Sequence, residues 1–345
     1  MRFRVVVPLA AAAALALAGS VSARPAGPPG YAFGTSGQSP KLGVRAGQVP
    51  PGFTGGPTTA SNGETVSVYV EDPLVAADPG AGRRWADFLA GLLHGPELST
   101  ATLYVASLDR VRQICGAGAL GCYSRGQIVA LGEDVGDVRA ASIVAHEYGH
   151  HVANSRNNDP WQAVDWGTKR WATYLNVCSR SLSGQLFPGD ESSNYRLNPG
   201  EVFAEDYRVL SERRGGLPES PWQVVDQSLY PDQTALDLLA QDVTEPWTDG
   251  TFTTYRVKIG PGASGRGFRF PTPLDGRLVA TLTVPAKAKL VLRLVDLTTG
   301  KVLAVGSPAL RVQSVPISVC GQRAIQVQVK RVSGAGTFTL AVARP

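Results

Sequence analysis

Several features that direct proteins to other functions are missing or scarce in this chain. Beyond its first 23 residues no apolar run is long enough to span a bilayer, so stable membrane insertion is not expected. The formal net charge is +5, yet there is no run of lysines and arginines, and we expect no nucleic-acid partner. The 4 cysteines never occur with Cys-x-x-Cys spacing, which argues against a zinc site built from thiolates.

Histidine is also scarce, and its distribution is informative. The chain has 4 histidines, and three of them lie in the run His-Glu-Tyr-Gly-His-His at residues 146–151. On a helix, His146 and His150 are one turn apart, so both imidazoles can bind one tetrahedral zinc ion. Glu147 points about 100° around the helix, where it can reach a water on the metal without binding the metal itself. This H-E-x-x-H arrangement is typical of zinc-assisted amide hydrolysis, and the alternative is a solvated helix face with incidental histidines.

The flanking residues favour a packed helix around this motif. Asp137 is a plausible N-cap, which predicts that the helix begins at the next residue. Gly149 costs helix propensity of about 1 kcal/mol, which indicates close packing or a close backbone approach at that position. His151 is turned about 100° from His150, and we expect it to be structural or solvent-facing.

A catalytic zinc usually has three protein ligands, so a third ligand is required. The metzincin continuation would place Gly and His three and six residues after His150, but Ala153 and Arg156 stand there. Glu201 and Glu205 are the better candidates, because they lie one turn apart on one predicted helix face. In this interpretation the first carboxylate binds the metal and the second hydrogen-bonds a ligand imidazole.

The start of that second helix leaves one alternative open. Asn198 is the predicted N-cap and Pro199 the first helical residue. Glu201 then occupies the third helical position, where it could close a capping box with Asn198 and need no metal at all.

At this point the sequence resembles a known group of enzymes. The pair of segments His-Glu-Tyr-Gly-His and Glu-Val-Phe-Ala-Glu resembles the gluzincin clan of zinc metallopeptidases, and the Phe-Ala-Glu signature is similar to anthrax-lethal-factor-type catalytic domains. The resemblance implies an α+β zincin-like fold and one Zn2+ per chain. It implies these roles: zinc ligands His146, His150 and Glu201, general base Glu147, and ligand-orienting Glu205.

One departure from thermolysin-type enzymes concerns the group that stabilises the oxyanion. Those enzymes place a further histidine downstream, whereas no histidine follows His151 here. Tyr195, six residues before Glu201, is the nearest suitable donor, and Tyr207 is the second candidate. For each tyrosine the alternative is a buried structural role.

The N-terminal segment predicts export. Arg2 and Arg4 precede an apolar run over residues 5–18 and a small-residue cleavage site ending at Ala23, so residues 1–23 read as a signal peptide. We therefore expect a protein that is secreted or held in a bacterial cell envelope, with uncleaved anchoring as the alternative.

The 4 cysteines of an exported chain are expected to form disulfides. Cys115 and Cys122 flank a short Gly/Ala-rich loop and make a natural local pair. Cys178 and Cys320 would then join distant parts of the chain. Four cysteines allow three pairings, and the sequence does not choose between them.

Composition and periodicity divide the rest of the chain into three parts. Residues 24–63 are rich in Gly and Pro and are expected to be an unfolded linker or a pro-segment. Residues 64–245 form the predicted zincin-like metallopeptidase domain. Residues 249–345 contain short alternating runs separated by turns, which predicts an all-β, jelly-roll-like sandwich. By architecture and position this part resembles the pre-peptidase C-terminal domains of bacterial peptidases.

Within the predicted catalytic domain, strands are expected at 65–71, 101–106 and 127–131, and a helix at 84–93. A further helix is expected to start at Asp159 by its N-cap chemistry. Its apolar residues at helical spacing are Trp161, Val164, Trp171, Leu175 and Cys178.

The strand before the motif helix is a candidate for substrate binding. In gluzincin-like folds an edge strand pairs with extended substrate. The alternative for this strand is that it pairs only within the sheet and does not bind substrate. The residues concerned are Gln127, Ile128, Val129 and Ala130.

These observations favour a secreted zinc metallopeptidase acting on a protein or peptide substrate. Two alternatives stay open: a surface- or matrix-binding protein that retains a zincin shell, and a zinc hydrolase of non-peptide amides. The sequence does not indicate which oligomeric state the protein has.

Overall fold

The computed structural model describes residues 41–42, 49–222 and 225–345. The predicted signal peptide, residues 1–23, lies outside the described residues. Within the part of the chain that the structure describes, no helix combines the length and apolar character needed to cross a bilayer.

A five-stranded mixed sheet with helices packed against it forms the N-terminal domain. The strand order is β1-β2-β3-β5-β4, with β2, β3 and β5 parallel and the two outer strands antiparallel. The sheet strands are β1 (Phe53–Thr59), β2 (Thr65–Glu71), β3 (Thr102–Ala106), β4 (Gly121–Ser124) and β5 (Gln127–Leu131). Two short strands, β6 (Asn157–Asn158) and β7 (Trp161–Gln162), pair separately. The helices are α1 (Asp72–Ala77), α2 (Ala81–Gly91), α3 (Leu108–Cys115), α4 (Ala140–Asn154), α5 (Ala163–Trp166), α6 (Lys169–Tyr174), α7 (Val177–Leu182), α8 (Pro199–Arg214) and α9 (Gln233–Thr244).

The strands predicted at 65–71 and 127–131 have the observed bounds, and the one predicted at 101–106 begins one residue later. The expectation that residues 24–63 do not fold is wrong for β1, which pairs with β2 along its whole length. The glycines that indicated an unfolded segment instead permit this pairing. A Cβ atom on Gly55 would lie 2.1 Å from the carbonyl oxygen of Val68, so only glycine fits there.

The predicted long helix after Asp159 is also wrong. The chain forms three short helices, α5 to α7, because two residues adopt positive φ angles that a right-handed helix cannot contain. Gly167 has a φ of 76° and ends α5, while Asn176 has a φ of 54° and lies just before α7. Helical spacing alone did not reveal these two interruptions.

The C-terminal domain is a sandwich of two four-stranded antiparallel sheets, in agreement with the predicted all-β architecture. The sheet orders are β13-β10-β15-β8 and β12-β11-β14-β9. Buried apolar side chains from both sheets form one common core, as strand alternation requires. The strands are β8 (Thr251–Ile259), β9 (Gly265–Thr272), β10 (Gly276–Thr283), β11 (Ala288–Asp296), β12 (Val302–Val305), β13 (Val312–Val319), β14 (Arg323–Gly334) and β15 (Gly336–Arg344).

Both favoured disulfides are present in the structure. Cys115 and Cys122 are bonded with a Cα–Cα distance of 5.7 Å. Cys178 and Cys320 are bonded with a Cα–Cα distance of 5.3 Å and join α7 to the sandwich. The domain contact is reinforced by Lys169, which is fully buried and donates hydrogen bonds to backbone carbonyls on both sides.

Candidate metal centre

The site lies where α4 crosses α8, and a glycine sets the distance between these helices. A Cβ atom on Gly149 would lie 2.9 Å from the Cα atom of Ala204 and 3.1 Å from the Cβ atom of Tyr207. The close packing expected at Gly149 is therefore present. It brings the first turn of α8 beside the motif histidines.

Three side chains converge at this crossing. His146 and His150 from α4 and Glu201 from α8 are completely buried, and their ligand atoms lie within 4.8 Å of one another. The Nε2 atoms of the two histidines are 3.3 and 3.4 Å from the two carboxylate oxygens of Glu201. In a tetrahedral site with bonds of about 2.0–2.1 Å, neighbouring ligand atoms are about 3.3–3.4 Å apart. The group can therefore hold a metal ion.

The cap of α8 explains why Glu201 is available to this group. The Asn198 side chain accepts a hydrogen bond from the Gly200 backbone N–H at 3.0 Å, which confirms the predicted N-cap. The backbone N–H of Asn198 donates to the carbonyl oxygen of Tyr195, so Glu201 does not close a capping box. The alternative role for Glu201 is thereby excluded.

Glu147 lies in a buried pocket beside the three candidate ligands. Its side chain is completely buried, and among the described residues neither carboxylate oxygen has a hydrogen-bond partner. Burial raises the pKa of Glu147 well above its ordinary value, the charge on His146 opposes this shift, and Glu201 adds to it.

Glu205 contacts the far side of one ligand. Its Oε2 atom lies 3.0 Å from Nδ1 of His146, as the predicted ligand-orienting role requires. Burial raises the pKa of Glu205, but Arg208 and His146 outweigh burial and lower it to about 2, so Glu205 is ionised. An ionised carboxylate on Nδ1 fixes the ring and leaves Nε2 directed at the centre.

Sequence reasoning missed Arg208, which completes this buried network. Its guanidinium donates to Glu205 at 2.7 Å and to Glu212 at 2.6 Å, and all three side chains are buried. Glu212 in turn accepts a hydrogen bond from Ser142 on α4. The available signal was the helical spacing of two glutamates three residues before and four residues after the arginine.

The two candidate tyrosines occupy different surroundings. The hydroxyl of Tyr195 donates to Oε2 of Glu201 at 2.6 Å, which places it at the edge of the centre. The hydroxyl of Tyr207 donates to the carbonyl oxygen of Leu93, so Tyr207 has the structural role given as its alternative.

His151 is buried and has a structural role, so the solvent-facing alternative is wrong. One ring nitrogen lies 2.8 Å from the Glu97 carbonyl oxygen, and the other lies 3.3 Å from the hydroxyl of Tyr123. Tyr123 belongs to β4, and its ring stacks on that of His150 with centroids 6.1 Å apart. His151 therefore ties the motif helix to the neighbouring strand.

The expectation that residues Gln127–Ala130 form an edge strand is wrong. The strand they belong to, β5, pairs with β3 on one side and β4 on the other, so its backbone is used within the sheet. On this side of the sheet the outermost strand is β4, which sequence reasoning missed. Arg125 and Gly126 have φ angles of 47° and 85° and form the two-residue turn between the strands. Gly126, which lies between the two short runs of strand-forming residues, was the available sequence signal for this hairpin.

Strand β4 passes directly beside the candidate base. A Cβ atom on Gly121, its first residue, would lie 2.7 Å from Oε1 and 2.9 Å from Cγ of Glu147. Only a residue without a side chain lets the strand approach the carboxylate this closely.

No protein family model matches the chain, and no curated protein matches it. Among solved structures it is similar to the pre-peptidase C-terminal domain of a collagenase from Bacillus anthracis, with 15% identity over 26% of this chain and 87% of that one and a TM-score of 0.24. It is also similar to a Yersinia pseudotuberculosis-derived mitogen, with 14% identity over 28% of this chain and 87% of that one and a TM-score of 0.22. TM-scores this low carry no conclusion about fold or function.

Proposed function

We propose that this protein is a secreted zinc-dependent peptidase. The observation that carries the proposal is the convergence of His146, His150 and Glu201 on one buried point, with the carboxyl group of Glu147 beside it. A binding protein that retained a metal for recognition alone would have no use for a buried base at that position.

The donor set supports zinc in particular. Two imidazole nitrogens and one carboxylate oxygen are a known ligand set of catalytic zinc, and they leave a fourth position open. A zinc ion held there would act as a Lewis acid and lower the pKa of water toward neutrality.

Glu147 supplies the proton transfers that amide hydrolysis requires. A carboxylate beside the centre can accept a proton from the attacking water, and burial raises its pKa so that it can return the proton to the leaving amine. The complete burial of Glu147 also keeps bulk water from competing for this proton.

Tyr195 and Glu205 take supporting positions in this proposal. The hydroxyl of Tyr195 can turn from Glu201 toward an oxyanion that develops on the substrate carbonyl. Glu205 holds the ring of His146, and Arg208 holds Glu205. Tyr195 would thus change its hydrogen-bond partner during the reaction, whereas Glu205 and Arg208 keep the ring of His146 fixed.

The position of β4 favours an extended peptide over an isolated acyl amide. β4 is an outer strand beside the base, so strand addition would carry the scissile amide past Glu147, but Gly121, Cys122 and Tyr123 are buried and their cover must move aside before a substrate backbone can pair. Residues Gly121–Ser124 therefore replace Gln127–Ala130 as the proposed substrate-pairing segment.

Export is supported by two independent features of the chain. Disulfides persist in oxidising compartments, and the described residues contain two of them. Residues 1–23 have the pattern of a signal peptide.

The proposal is tested by cleavage of a denatured protein substrate with purified chain. Activity should be abolished by a chelator and restored by one equivalent of zinc. His150→Ala should lose zinc and activity together, whereas Glu133→Gln, a change at an exposed glutamate, should keep both. Bound zinc without cleavage of any peptide or model amide would favour the matrix-binding alternative. Cleavage of acyl amides but not peptides would favour the alternative of a zinc hydrolase that acts on non-peptide amides.

A further inference from the structure

The small net charge of the chain conceals a separation of charge between its two domains. Residues 49–248 contain 14 Lys or Arg and 25 Asp or Glu, a formal charge of −11. Residues 249–345 contain 14 Lys or Arg and 3 Asp or Glu, a formal charge of +11. The sandwich is therefore strongly basic, although the sequence contains no basic run.

The few acidic residues of the sandwich do not neutralise its surface. Asp275 is buried and accepts a hydrogen bond from the backbone N–H of Gly321. Asp296 is buried and pairs with Arg323 at 3.1 Å. Asp249 is exposed but lies before β8, at the junction of the domains, whereas none of the 14 basic residues is buried.

Part of this charge is concentrated on the outer face of one sheet. In β14 the residues Ile325, Val327 and Val329 point into the core, so Gln326, Gln328 and Lys330 point outward. In the same register, Arg269 of β9 is opposite Gln326, and Arg293 of β11 is opposite Gln328. We call the following set the cationic face: Arg269, Arg293, Lys330, Gln326 and Gln328.

Glycines on β9 open a groove along this face. A cavity of about 170 Å³ is lined by Gly265, Gly267, both glutamines and Lys330, among other residues. A Cβ atom on Gly267 would lie 2.7 Å from Nε2 of Gln326, so a larger residue would fill the groove. Besides the two glutamines, the cations of Lys330 and Arg266 line the groove, whereas Arg269 and Arg293 lie outside its lining on the same sheet.

The cations of this face are not engaged within the protein. Among the described residues, Arg269, Arg293 and Lys330 form no ion pair. From strand spacing their Cα atoms are about 8–14 Å apart, comparable to the screening length at physiological salt. Three unpaired cations at this separation attract a multivalent anion more strongly than a single small one.

We propose that the cationic face binds an acidic polysaccharide, a sugar polymer that carries carboxylates. Arginine forks match carboxylate geometry, and glutamine amides both donate to and accept from sugar hydroxyls. The outward residues of this sheet include no aromatic ring on which nucleic-acid bases could stack. The inference does not depend on hydrolysis at the metal centre. It makes the sandwich an anchor that holds the acidic catalytic domain near an acidic matrix.

The test measures binding of the whole protein to polygalacturonate by calorimetry at two salt concentrations. Fully methyl-esterified polygalacturonate, which has the same sugar chain without charge, serves as the control ligand. The variant Arg269→Gln/Arg293→Gln/Lys330→Gln should bind at least about tenfold more weakly, because three charge-assisted contacts are lost. The matched variant Arg256→Gln/Lys258→Gln/Arg277→Gln removes equal charge from the other sheet and should bind within about threefold of the parent. Unchanged melting temperatures show that both variants fold.

Five outcomes would overturn the inference. Equal loss in both variants would mean that net charge alone attracts the polymer, and no loss in either would remove the face from the interaction. Equal binding of the methyl ester would show that carboxylates are not recognised. Tighter binding to duplex DNA at the same salt would assign the face to nucleic acid. A salt-sensitive dimer that competes with the polymer would assign it to the acidic domain of a second copy.

Discussion

Oε2 of Glu205 lies 3.0 Å from Nδ1 of His146, on the side of the ring that faces away from the candidate metal position. Nε2 of the same ring lies 3.3 Å from Glu201. Glu205 thus orients the imidazole of His146, while Glu201 and that imidazole both point at the candidate metal position. Both come from α8, one turn apart, so the packing of a single helix against α4 fixes two of the contacts on which the site depends.

Replacing the orienting carboxylate should weaken metal binding without removing a ligand. We predict that Glu205→Gln lowers zinc affinity by about 10–100-fold, because the ring of His146 loses its charged partner and Arg208 loses one of its two carboxylate partners. Competition with a chromophoric chelator measures this. Glu133→Gln, at an exposed position, serves as the control, and equal affinities for the two variants would show that Glu205 has no orienting role.

Zinc binding should release a proton. In the metal-free protein burial lowers the pKa of His146, but hydrogen bonds to Glu201 and Glu205 outweigh burial and raise it from 6.5 to about 10. His146 is then protonated at neutral pH, and a metal must displace that proton. We predict release of about one proton on zinc binding at pH 7.5, measured by calorimetry in buffers of different ionisation enthalpy.

The same shift predicts how the stability of the metal-free protein depends on pH. A folded-state pKa raised to about 10 contributes stability that is fully present below the unfolded value of 6.5 and is lost as pH rises through about 10. Chelator-treated protein should therefore lose unfolding free energy across this window, and His146→Gln should remove most of that slope. A slope unchanged by the substitution would assign it to other groups.

The helix crossing should tolerate no added side chain at its closest point. Gly149→Ala places a methyl group 2.9 Å from the backbone of α8, and we predict a loss of about 1–3 kcal/mol in unfolding free energy. Gly82→Ala on α2 is the matched control, because no atom lies within 4 Å of its Cβ position. There alanine should stabilise the helix by up to about 1 kcal/mol. Denaturant titrations that show the same sign for both variants would contradict the packing argument.

The ligand group was predictable because its information is local. The spacing of His146 and His150 is a property of one helix, and the cap at Asn198 fixes where Glu201 lies on another. The strand order was not predictable in the same way. The apolar run within Gln127–Ala130 predicts a strand, but whether that strand is interior or outermost depends on the hairpin partner at Gly121–Ser124, which is too short to show a period of its own.

Capping residues and glycines caused the remaining errors. Asp137 does not cap α4, which begins at Ala140, and the backbone N–H of Ala140 is instead satisfied by the side chain of Asp134. Two aspartates, Asp134 and Asp137, precede this helix, and only the path of the loop decides which one reaches the N-terminus. Gly55 shows the converse case, because a glycine that signals an unfolded segment can also mark a strand that approaches its neighbour closely.

The proposed role of Glu147 as general base is tested by the turnover of a peptide by Glu147→Gln, with zinc content and melting temperature measured on the same preparation. Glutamine keeps the shape of the side chain but cannot accept or return a proton. We predict a folded protein with one zinc ion per chain and a rate lowered by about 10²–10⁴-fold. A zinc-loaded Glu147→Gln variant that cleaves the peptide as fast as the parent would contradict the account, because hydrolysis would then not depend on this centre.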